Sequence, residues 1–439
     1  MVCNEQRQTL GFESRRIPRA TPHLRARVQC PGANNADNNR TARNRDSHCF
    51  PHAQSGKGGP DGVSGQCLLK PEAMINRLQQ FYSTEYAHPE EVHKRSQYVT
   101  GLIEDTRAQV AKLINAREPS EIIFVRSTTE AINAFALSFG RSNLKPGDEV
   151  LITAMEHVSN VIPWQLVCSD YGAKLRVVPL REDGSLDMQA FREYLNPKTR
   201  LVSIAQVSNV LGLIYPVDEV IREAHSRGIP VFVDGAQSAP HLAIDVQSMG
   251  CDFFAFSAHK MCGPTAVGIL YGRREWLEKL PPSEGGGSMS KSVHWDSMEP
   301  APIPKKFEAG TSPIAEIIAF GAAIQFRSQW GMPAIESYER ELTAHVDRRL
   351  RRIPEVTVVG SGEKICCVSF NVQGMKPQEV EGALDEHEIV VRGGKLSAQP
   401  VMESLGLPEG AVRVSISFYN TREDIDAFIR ALEDCIASR

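Results

Sequence analysis

The chain has 439 residues, of which 41% are hydrophobic and 23% charged, and its formal net charge is -4. This composition is ordinary for globular proteins and excludes a mainly disordered, collagen-like or coiled-coil chain. A charge balance this close to neutral gives no overall field to attract nucleic acid or an anionic membrane, so we expect a small-molecule partner. At roughly 150 residues per domain, the length indicates more than one domain.

Cysteine content and hydropathy limit the cellular setting. Ten cysteines are too few for a disulfide scaffold in so long a chain, and no two have CxxC spacing, so we predict no structural metal site. The best candidate for a membrane span, Ile314 to Phe326, contains Glu316 and is shorter than the ~18 residues that a span requires. We therefore expect a cytoplasmic protein without membrane contact.

Residues 1–66 differ in composition from the rest of the chain. They contain ten Lys or Arg against five Asp or Glu, and only eight Val, Ile, Leu or Phe. Because burial of so little apolar surface cannot offset the entropy lost on ordering, we predict a disordered basic tail. Two alternatives are a targeting segment and a start site or reading frame that is not native.

From Ile122 onward, short apolar runs rich in β-branched residues alternate with helical patterns, as in a parallel sheet covered by helices. Apolar spacing predicts a helix over 217–224, with Gly228 at its end. A long helical run from Ile314 into Arg352 follows. The predicted strands are Ile122–Val125, Val150–Thr153, Leu175–Val178, Leu201–Ala205, Pro230–Val233 and Phe253–Phe256, then Val368–Asn371 and Val412–Ser417 near the C-terminus.

These patterns predict a large α/β domain over residues 67–300, which includes an N-terminal segment. Residues 301–439 would form a linker, the long helix and a small α+β C-terminal domain. The Pro- and Gly-rich stretch over 281–287 precedes this boundary, as expected of a crossing between two domains.

Polar residues follow most strands of the large domain, and ligands of open α/β sheets bind beyond the carboxyl ends of the strands. The run Ser127-Thr128-Thr129-Glu130 is a capping box that opens a helix, and the N-terminus of such a helix can hold a phosphate. The other strand ends carry Glu156-His157, Ser208-Asn209, Asp234 with Gln237, and Ser257-Ala258-His259-Lys260.

Lys260 and Asp234 give the most specific chemical indication. A lysine just beyond a strand is a candidate Schiff-base nucleophile, and an aspartate at a neighbouring strand end is the counter-ion that a protonated pyridine nitrogen needs. Together they indicate pyridoxal 5'-phosphate (PLP). With the motifs VDGAQS and SAHKMCGPT, the chain resembles the class V aminotransferases, and within them the SUF-type (group II) cysteine desulfurases and selenocysteine lyase-like enzymes. The resemblance extends from about Leu69 to Ile436 and includes FVRSTTEAIN, MEHVSNVIPWQ, QVSNVLG, FEAGT and SFYNT.

The resemblance implies the PLP-dependent transferase fold type I, with a mainly parallel seven-stranded sheet in the large domain. It also implies that Lys260 binds PLP covalently and transfers protons, and that Asp234 keeps the ring nitrogen protonated. His157 would stack on the ring and take part in acid-base chemistry.

The same resemblance assigns the other polar residues. Thr129, Ser257 and His259 would bind the phosphate with the backbone of Thr128 close by, and Thr311 would reach the phosphate of the second subunit in a homodimer. Asn209 and Gln237 would lie near the phenolic oxygen, and Arg413 with Arg392 would bind the substrate carboxylate. Glu156 and Trp164 are interpreted as structural.

Ser397 is the main departure from the family pattern. In these desulfurases a mobile loop of approximate sequence RxGxxCAxP carries the cysteine that accepts the substrate sulfur, whereas here residues 392–400 read RGGKLSAQP. A serine hydroxyl cannot form a persulfide, so the ordinary mechanism cannot run through Ser397. We expect Cys262, Cys366 and Cys367 to be buried as small hydrophobic residues.

The favoured function is mobilisation of sulfur from L-cysteine, or from a related sulfur or selenium amino acid, with alanine as product. The alternatives are a C–S β-lyase, a class V aminotransferase, and a catalytically weak PLP-binding scaffold for sulfur transfer. A sulfur-acceptor protein and a role in iron–sulfur cluster assembly are further expectations, and no nucleic-acid partner is expected.

Overall fold

The structure is a computed structural model that describes residues 70–438. The predicted basic tail over residues 1–66 lies outside the described residues. The helices are α1 (Glu72–Gln80), α2 (Lys94–Leu113), α3 (Thr128–Asn143), α4 (Ile162–Tyr171), α5 (Met188–Tyr194), α6 (Val217–His225), α7 (Val246–Met249), α8 (Arg274–Lys279), α9 (Ile314–Ser328), α10 (Met332–Leu350), α11 (Pro377–Glu386), α12 (Gln399–Ser404) and α13 (Arg422–Ala437). The strands are β1 (Ile122–Val125), β2 (Glu149–Thr153), β3 (Lys174–Val178), β4 (Thr199–Ala205), β5 (Val231–Asp234), β6 (Phe253–Ser257), β7 (Gly268–Gly272), β8 (Ser290–Val293), β9 (Met298–Pro300), β10 (Val356–Val358), β11 (Cys367–Val372), β12 (Arg392–Gly394) and β13 (Ala411–Ser415).

Strands β1 to β7 form one sheet in the order β1-β7-β6-β5-β4-β2-β3. Strand β7 pairs antiparallel with β1 and β6, and the other pairs are parallel. The mainly parallel seven-stranded sheet and its six predicted strands are therefore confirmed. The sequence pattern does not reveal β7, because its apolar run of three residues between two glycines is too short to stand out.

Aromatic side chains fill both sides of this sheet. On one face, Phe135 of α3 packs on Phe232 and Phe253, with ring centroids 5.1 and 4.1 Å apart. On the other face, Phe254 and Phe256 belong to the core that also contains α9. Because helices cover both faces, as is usual for parallel sheets, the polar strand ends gather at the open carboxyl edge.

The helical predictions hold for one segment and need a correction for another. Helix α6 forms as predicted, and Gly228 lies in the turn after it with φ of 70°. The predicted continuous run from Ile314 into Arg352 is wrong, since it consists of α9 and α10. Gly331, with φ of 77°, lies between them as the N-cap of α10, in a backbone conformation that residues other than glycine rarely adopt.

The C-terminal region contains an antiparallel sheet in the order β10-β11-β13-β12. The two predicted strands correspond to β11 and β13, whereas β10 and β12 have only three residues each and give no recognisable alternation. Gly410, with φ of 94°, allows the start of β13 to lie against β12, because a Cβ at this position would be 2.2 Å from the carbonyl carbon of Gly394.

The seven-stranded sheet ends at Gly272 and the four-stranded sheet begins at Val356. The predicted domain boundary at residue 300 falls between them and stays a prediction. In the described part of the chain, no helix is both long and apolar enough to cross a membrane.

Candidate active site

Asp234 and Lys260 follow adjacent strands of the large sheet. Asp234 is the last residue of β5 and pairs in register with Ala255 of β6, which leads into the short 3-10 turn that ends at Lys260. Burial lowers the pKa of the Lys260 amine, and the Asp234 carboxylate opposes this shift only in part. The neutral, nucleophilic amine is thus more populated than it would be in water.

The surroundings of Asp234 fit a protonated pyridine ring. Among the described residues, the hydrogen bond to this carboxylate comes from the backbone N–H of Ala236 to Oδ1, at 2.8 Å. Oδ2 is left for a donor such as the pyridinium nitrogen of PLP. Burial raises the pKa of the Asp234 carboxyl, and a cation beside it would restore the charged form. Gly235 packs so tightly that a Cβ there would lie 2.1 Å from the Phe254 ring.

Most of the predicted phosphate-binding residues lie at the start of α3 and the end of β6. Ser127 caps the helix by accepting a hydrogen bond from Glu130 N at 3.2 Å. Thr128 N donates to Ser257 Oγ at 2.8 Å, and the two hydroxyls are 2.7 Å apart, so α3 and β6 meet at this point. The hydroxyl of Thr129 lies 2.9 Å from that of Ser159. Three of the predicted phosphate residues are therefore adjacent, at a helix N-terminus that favours an anion.

His157 lies in the turn after β2. Its Nδ1 accepts a hydrogen bond from Ser159 N at 3.1 Å, which assigns the ring proton to Nε2 in the neutral imidazole. Burial lowers the pKa of His157 to about 4, and the nearby charges of Lys260, Arg392 and Arg413 act in the same direction. The imidazole is therefore neutral at physiological pH and suited to stack on an aromatic ring.

The loop after β12 brings Ser397 to this turn. Val158 N donates to the carbonyl of Ser397 at 3.0 Å, and the Asn209 amide donates to the carbonyl of Leu396 at 2.9 Å. Leu396 and Ser397 both have left-handed backbone, with φ of 51° and 55°. Such conformations cost about 1–3 kcal/mol each in residues other than glycine, so contacts with the large domain hold the loop against strain.

The two predicted carboxylate-binding arginines face each other across β12 and β13. Arg413 is buried and donates to the carbonyl of Asn209 at 2.8 Å, whereas Arg392 is exposed and its guanidinium lies 3.5 Å from Ser397 Oγ. Like charges directly opposite on antiparallel strands are destabilising. A ligand carboxylate beside the pair would relieve the repulsion and gain bidentate hydrogen bonds.

The remaining predicted site residues are Gln237, His259 and Thr311. Gln237 is buried just beyond β5. Burial lowers the pKa of His259 to about 4, and Lys260 and Lys70 contribute. Thr311 lies exposed in the turn before α9, where the structure gives it no hydrogen bond to the site residues of its own chain, so its assignment to a second subunit stays a prediction.

Sequence reasoning missed Lys70, which donates from Nζ to the carbonyl of His259 at 2.6 Å. Residues 69–71 read LKP where the family resemblance begins, but spacing along the chain gives Lys70 no role. Ser159 was missed because its contact with Thr129 joins the turn after β2 to the start of α3, and spacing along the chain does not show that these two segments meet.

The described cysteines are mostly inaccessible. Cys366 and Cys367 are buried, as predicted, at the start of β11. The prediction of burial for Cys262 is only partly right, since its exposure is intermediate; it has a left-handed φ of 62° in the loop after Lys260. Within residues 70–438, no group of three or more His, Cys, Asp or Glu side chains could hold a metal ion.

The fold and the strand-end residues define a PLP-dependent enzyme of fold type I. Residues 68–428 match the family Aminotransferase class-V, and the chain belongs to this family.

Three similar proteins refine this assignment. The chain is 44% identical to a probable cysteine desulfurase of Halalkalibacterium halodurans, over 83% of this chain and 90% of that protein. It is 42% identical to a probable cysteine desulfurase of Synechocystis, over 84% of this chain and 88% of that protein. Its fold matches the crystal structure of the cysteine desulfurase CsdA of Escherichia coli, with a TM-score of 0.80, 35% identity and coverage of 86% of this chain and 95% of the other. The chain is therefore a cysteine desulfurase-like enzyme with PLP as its cofactor.

Proposed function

We propose that this enzyme removes the sulfur atom of L-cysteine and delivers it to a thiol outside the described chain, with alanine as the second product. The overall reaction is L-cysteine plus a thiol, which gives alanine plus a persulfide. One observation carries the proposal: Val158 N–H holds the carbonyl of Ser397 at 3.0 Å, so a serine stands beside His157 where the SUF-type pattern has the accepting cysteine.

When bound, PLP supplies an electron sink that stabilises negative charge at the substrate Cα. In our proposal Lys260 binds the cofactor aldehyde and afterwards transfers protons, while Asp234 holds the ring nitrogen in its protonated form. The start of α3, with Thr128 and Ser257, binds the phosphate.

The substrate is oriented by the small domain. Arg413 takes the carboxylate from its buried position, and Arg392 closes over it from the exposed side of β12. The Asn209 side chain, which donates to Leu396 O, links this loop to the cofactor end of the large sheet. His157 is neutral and holds its proton on Nε2 at the point where both domains meet.

The acceptor is proposed to lie outside residues 70–438, because in that range the thiols of Cys366 and Cys367 are buried and Cys262 is not on the loop. A dedicated acceptor protein, and a place in iron–sulfur cluster assembly, would be consistent with this arrangement. Thr311 is proposed to contact the phosphate of the second subunit in a homodimer.

Ser397 also favours a second candidate, a C–S β-lyase. Elimination needs no protein thiol, since L-cysteine and water give pyruvate, ammonia and hydrogen sulfide. The products distinguish the two functions, because only the transfer of sulfur to a thiol leaves alanine.

The test compares the wild type with Ser397→Cys, using L-cysteine labelled with radioactive sulfur and measuring alanine, pyruvate and protein-bound sulfane. We expect wild-type alanine formation to depend on added thiol and to leave no label on the protein. Ser397→Cys should retain about one labelled sulfur per chain and form alanine on the order of tenfold faster at low thiol concentration, because a thiol is a far better sulfur acceptor than a hydroxyl.

Ser404→Cys, on the neighbouring helix α12, is the matched control and should behave like the wild type. Label retained by the wild-type protein would contradict an external acceptor, and pyruvate as the main product would establish the lyase instead.

A further inference from the structure

A buried network of polar side chains lies directly under the turn that presents His157. Its centre is Glu156, which is 1% exposed. Oε1 accepts hydrogen bonds from Thr153 Oγ1 at 2.5 Å and from Ala205 N at 3.0 Å, and Oε2 accepts one from Asn160 Nδ2 at 2.6 Å. Every hydrogen bond that the structure gives this carboxyl is therefore one that it accepts.

Asn160 extends the network into the core. It is fully buried, and its Oδ1 accepts hydrogen bonds from Trp164 Nε1 at 3.0 Å and from Ser203 Oγ at 2.7 Å. Since both lone-pair directions of Oδ1 are used, the orientation of the amide is fixed and its NH2 group must face Glu156.

The network joins the segment between β2 and α4 to the end of β4, which lies more than forty residues further along the chain. Thr153 ends β2, Ala205 ends β4, and Asn160 precedes α4. His157 comes immediately after the central carboxyl, and within residues 70–438 the hydrogen bond to its ring is the local one from Ser159 N. The position of the His157 imidazole at the sheet edge therefore depends on how Glu156 is held.

A carboxyl group at this position is energetically unfavourable in itself. Burial raises the pKa of Glu156 to about 7 against the effect of its three donors, and the charge of Asp234 adds to the rise. An apolar side chain would avoid that cost but would leave the three donors buried and unpaired, so the acid at this position holds together the groups that donate to it.

We propose that Glu156 is a positioning residue, whose carboxylate holds the His157 turn against the ends of β2 and β4. It would thereby position the imidazole for stacking on the PLP ring, whose protonated nitrogen would pair with Asp234. The inference rests on the proposed cofactor site at Lys260. It extends that site to a residue that touches neither cofactor nor substrate.

The test uses the PLP-loaded enzyme and Glu156→Gln. The substitution keeps the oxygen that accepts from Thr153 and Ala205, but its new NH2 group faces the NH2 group of Asn160. We expect the visible circular dichroism of the bound cofactor to fall by about half or more and the PLP concentration at half-saturation to rise about tenfold, the effect of losing one hydrogen bond to a charged group.

The double substitution Glu156→Gln with Asn160→Asp is the rescue. It exchanges acid and amide, so that a donor again meets an acceptor at the contact between positions 156 and 160, while the new carboxylate still accepts from Trp164 and Ser203. We expect both signals to return to within about twofold of wild type. Thr153→Val removes a single donor. It should change the circular dichroism and the PLP concentration at half-saturation in the same direction as Glu156→Gln, by a smaller factor.

Glu121→Gln is the matched control. This glutamate is also buried, but it accepts hydrogen bonds from Arg117 N and Arg274 N at the opposite end of the sheet. It should lower the melting temperature and leave the cofactor signals unchanged. The proposal fails if Glu156→Gln also lowers the melting temperature and leaves the cofactor signals unchanged. It fails as well if the double substitution restores the melting temperature but not the circular dichroism. A wild-type enzyme with no visible cofactor signal would instead refute the proposed site at Lys260.

Discussion

The carboxyl edge of the large sheet and the loop after β12 supply one site but hold their residues in different ways. Asp234 and Lys260 sit at the ends of adjacent strands in a core covered on both faces, where backbone pairing fixes their positions. Ser397 sits in a loop with left-handed backbone, held by hydrogen bonds to Val158 and Asn209. In our proposal, the rigid edge carries the cofactor chemistry and the loop determines which thiol receives the sulfur.

The largest expected effect comes from substituting Lys260 at the carboxyl edge of the large sheet. Lys260→Ala should lower the rate of product formation by ~10²–10⁴-fold, because it removes both the covalent attachment and a proton-transfer group. After borohydride treatment, mass spectrometry should find the cofactor attached to the wild-type chain but not to the variant. Lys279→Ala, an exposed lysine on α8, should retain the attachment. Covalently bound cofactor in Lys260→Ala would place the attachment elsewhere.

We expect a smaller effect from substituting the two arginines of the four-stranded sheet, and the buried arginine should matter more than the exposed one. Arg413→Lys should raise the KM for L-cysteine by about 10- to 100-fold with a smaller change in kcat, because a lysine cannot form the bidentate pair. Arg392→Lys, at the exposed partner position, should raise KM only about threefold. Steady-state kinetics of both variants check this order, and a larger effect at Arg392 would reverse the roles assigned here.

The smallest effect concerns His157, where the two regions meet. Its pKa of about 4 in the folded chain lies below the ordinary value near 6.5, so the unfolded chain binds more protons between these values. The free energy of unfolding of the cofactor-free wild type should therefore decrease as the pH falls from 6.5 towards 4. Relative to His157→Gln, the loss between pH 7 and pH 5 should be about 1–2 kcal/mol.

Urea unfolding of both proteins at the two pH values measures this difference. A gap between wild type and His157→Gln that stays constant with pH would show that the imidazole is protonated as readily in the folded chain as in the unfolded one.

Much of the cofactor end was predictable, because it depends on local order along the chain. Each strand of the parallel sheet delivers its next residues to the same edge, so the positions of Asp234, His157 and Lys260 follow from where apolar runs stop. The network around Glu156 was not predictable in this way. Its partners come from β2, β4 and the start of α4, and the sequence alone supported only a structural interpretation of this residue.

In the small domain, most of what matters for the site could not be predicted from the sequence. Ser397 could be identified from the loop pattern, but its hydrogen bond to Val158 joins residues more than two hundred positions apart in the chain. Strand β12 is too short to give a pattern, and only its pairing with β13 places Arg392 opposite Arg413.

The sequence by itself determined the class of sheet and the residues at the strand ends, because periodicity and chain direction are local properties. The cofactor followed from the chemistry of Lys260 with Asp234 and from the family resemblance. It also determined that the loop carries a hydroxyl instead of a thiol. Only the tertiary structure decided which of these residues meet, which thiols are buried and which carboxyl supports the His157 turn. Those outcomes depend on contacts between distant segments, whose geometry is set by packing of the whole core.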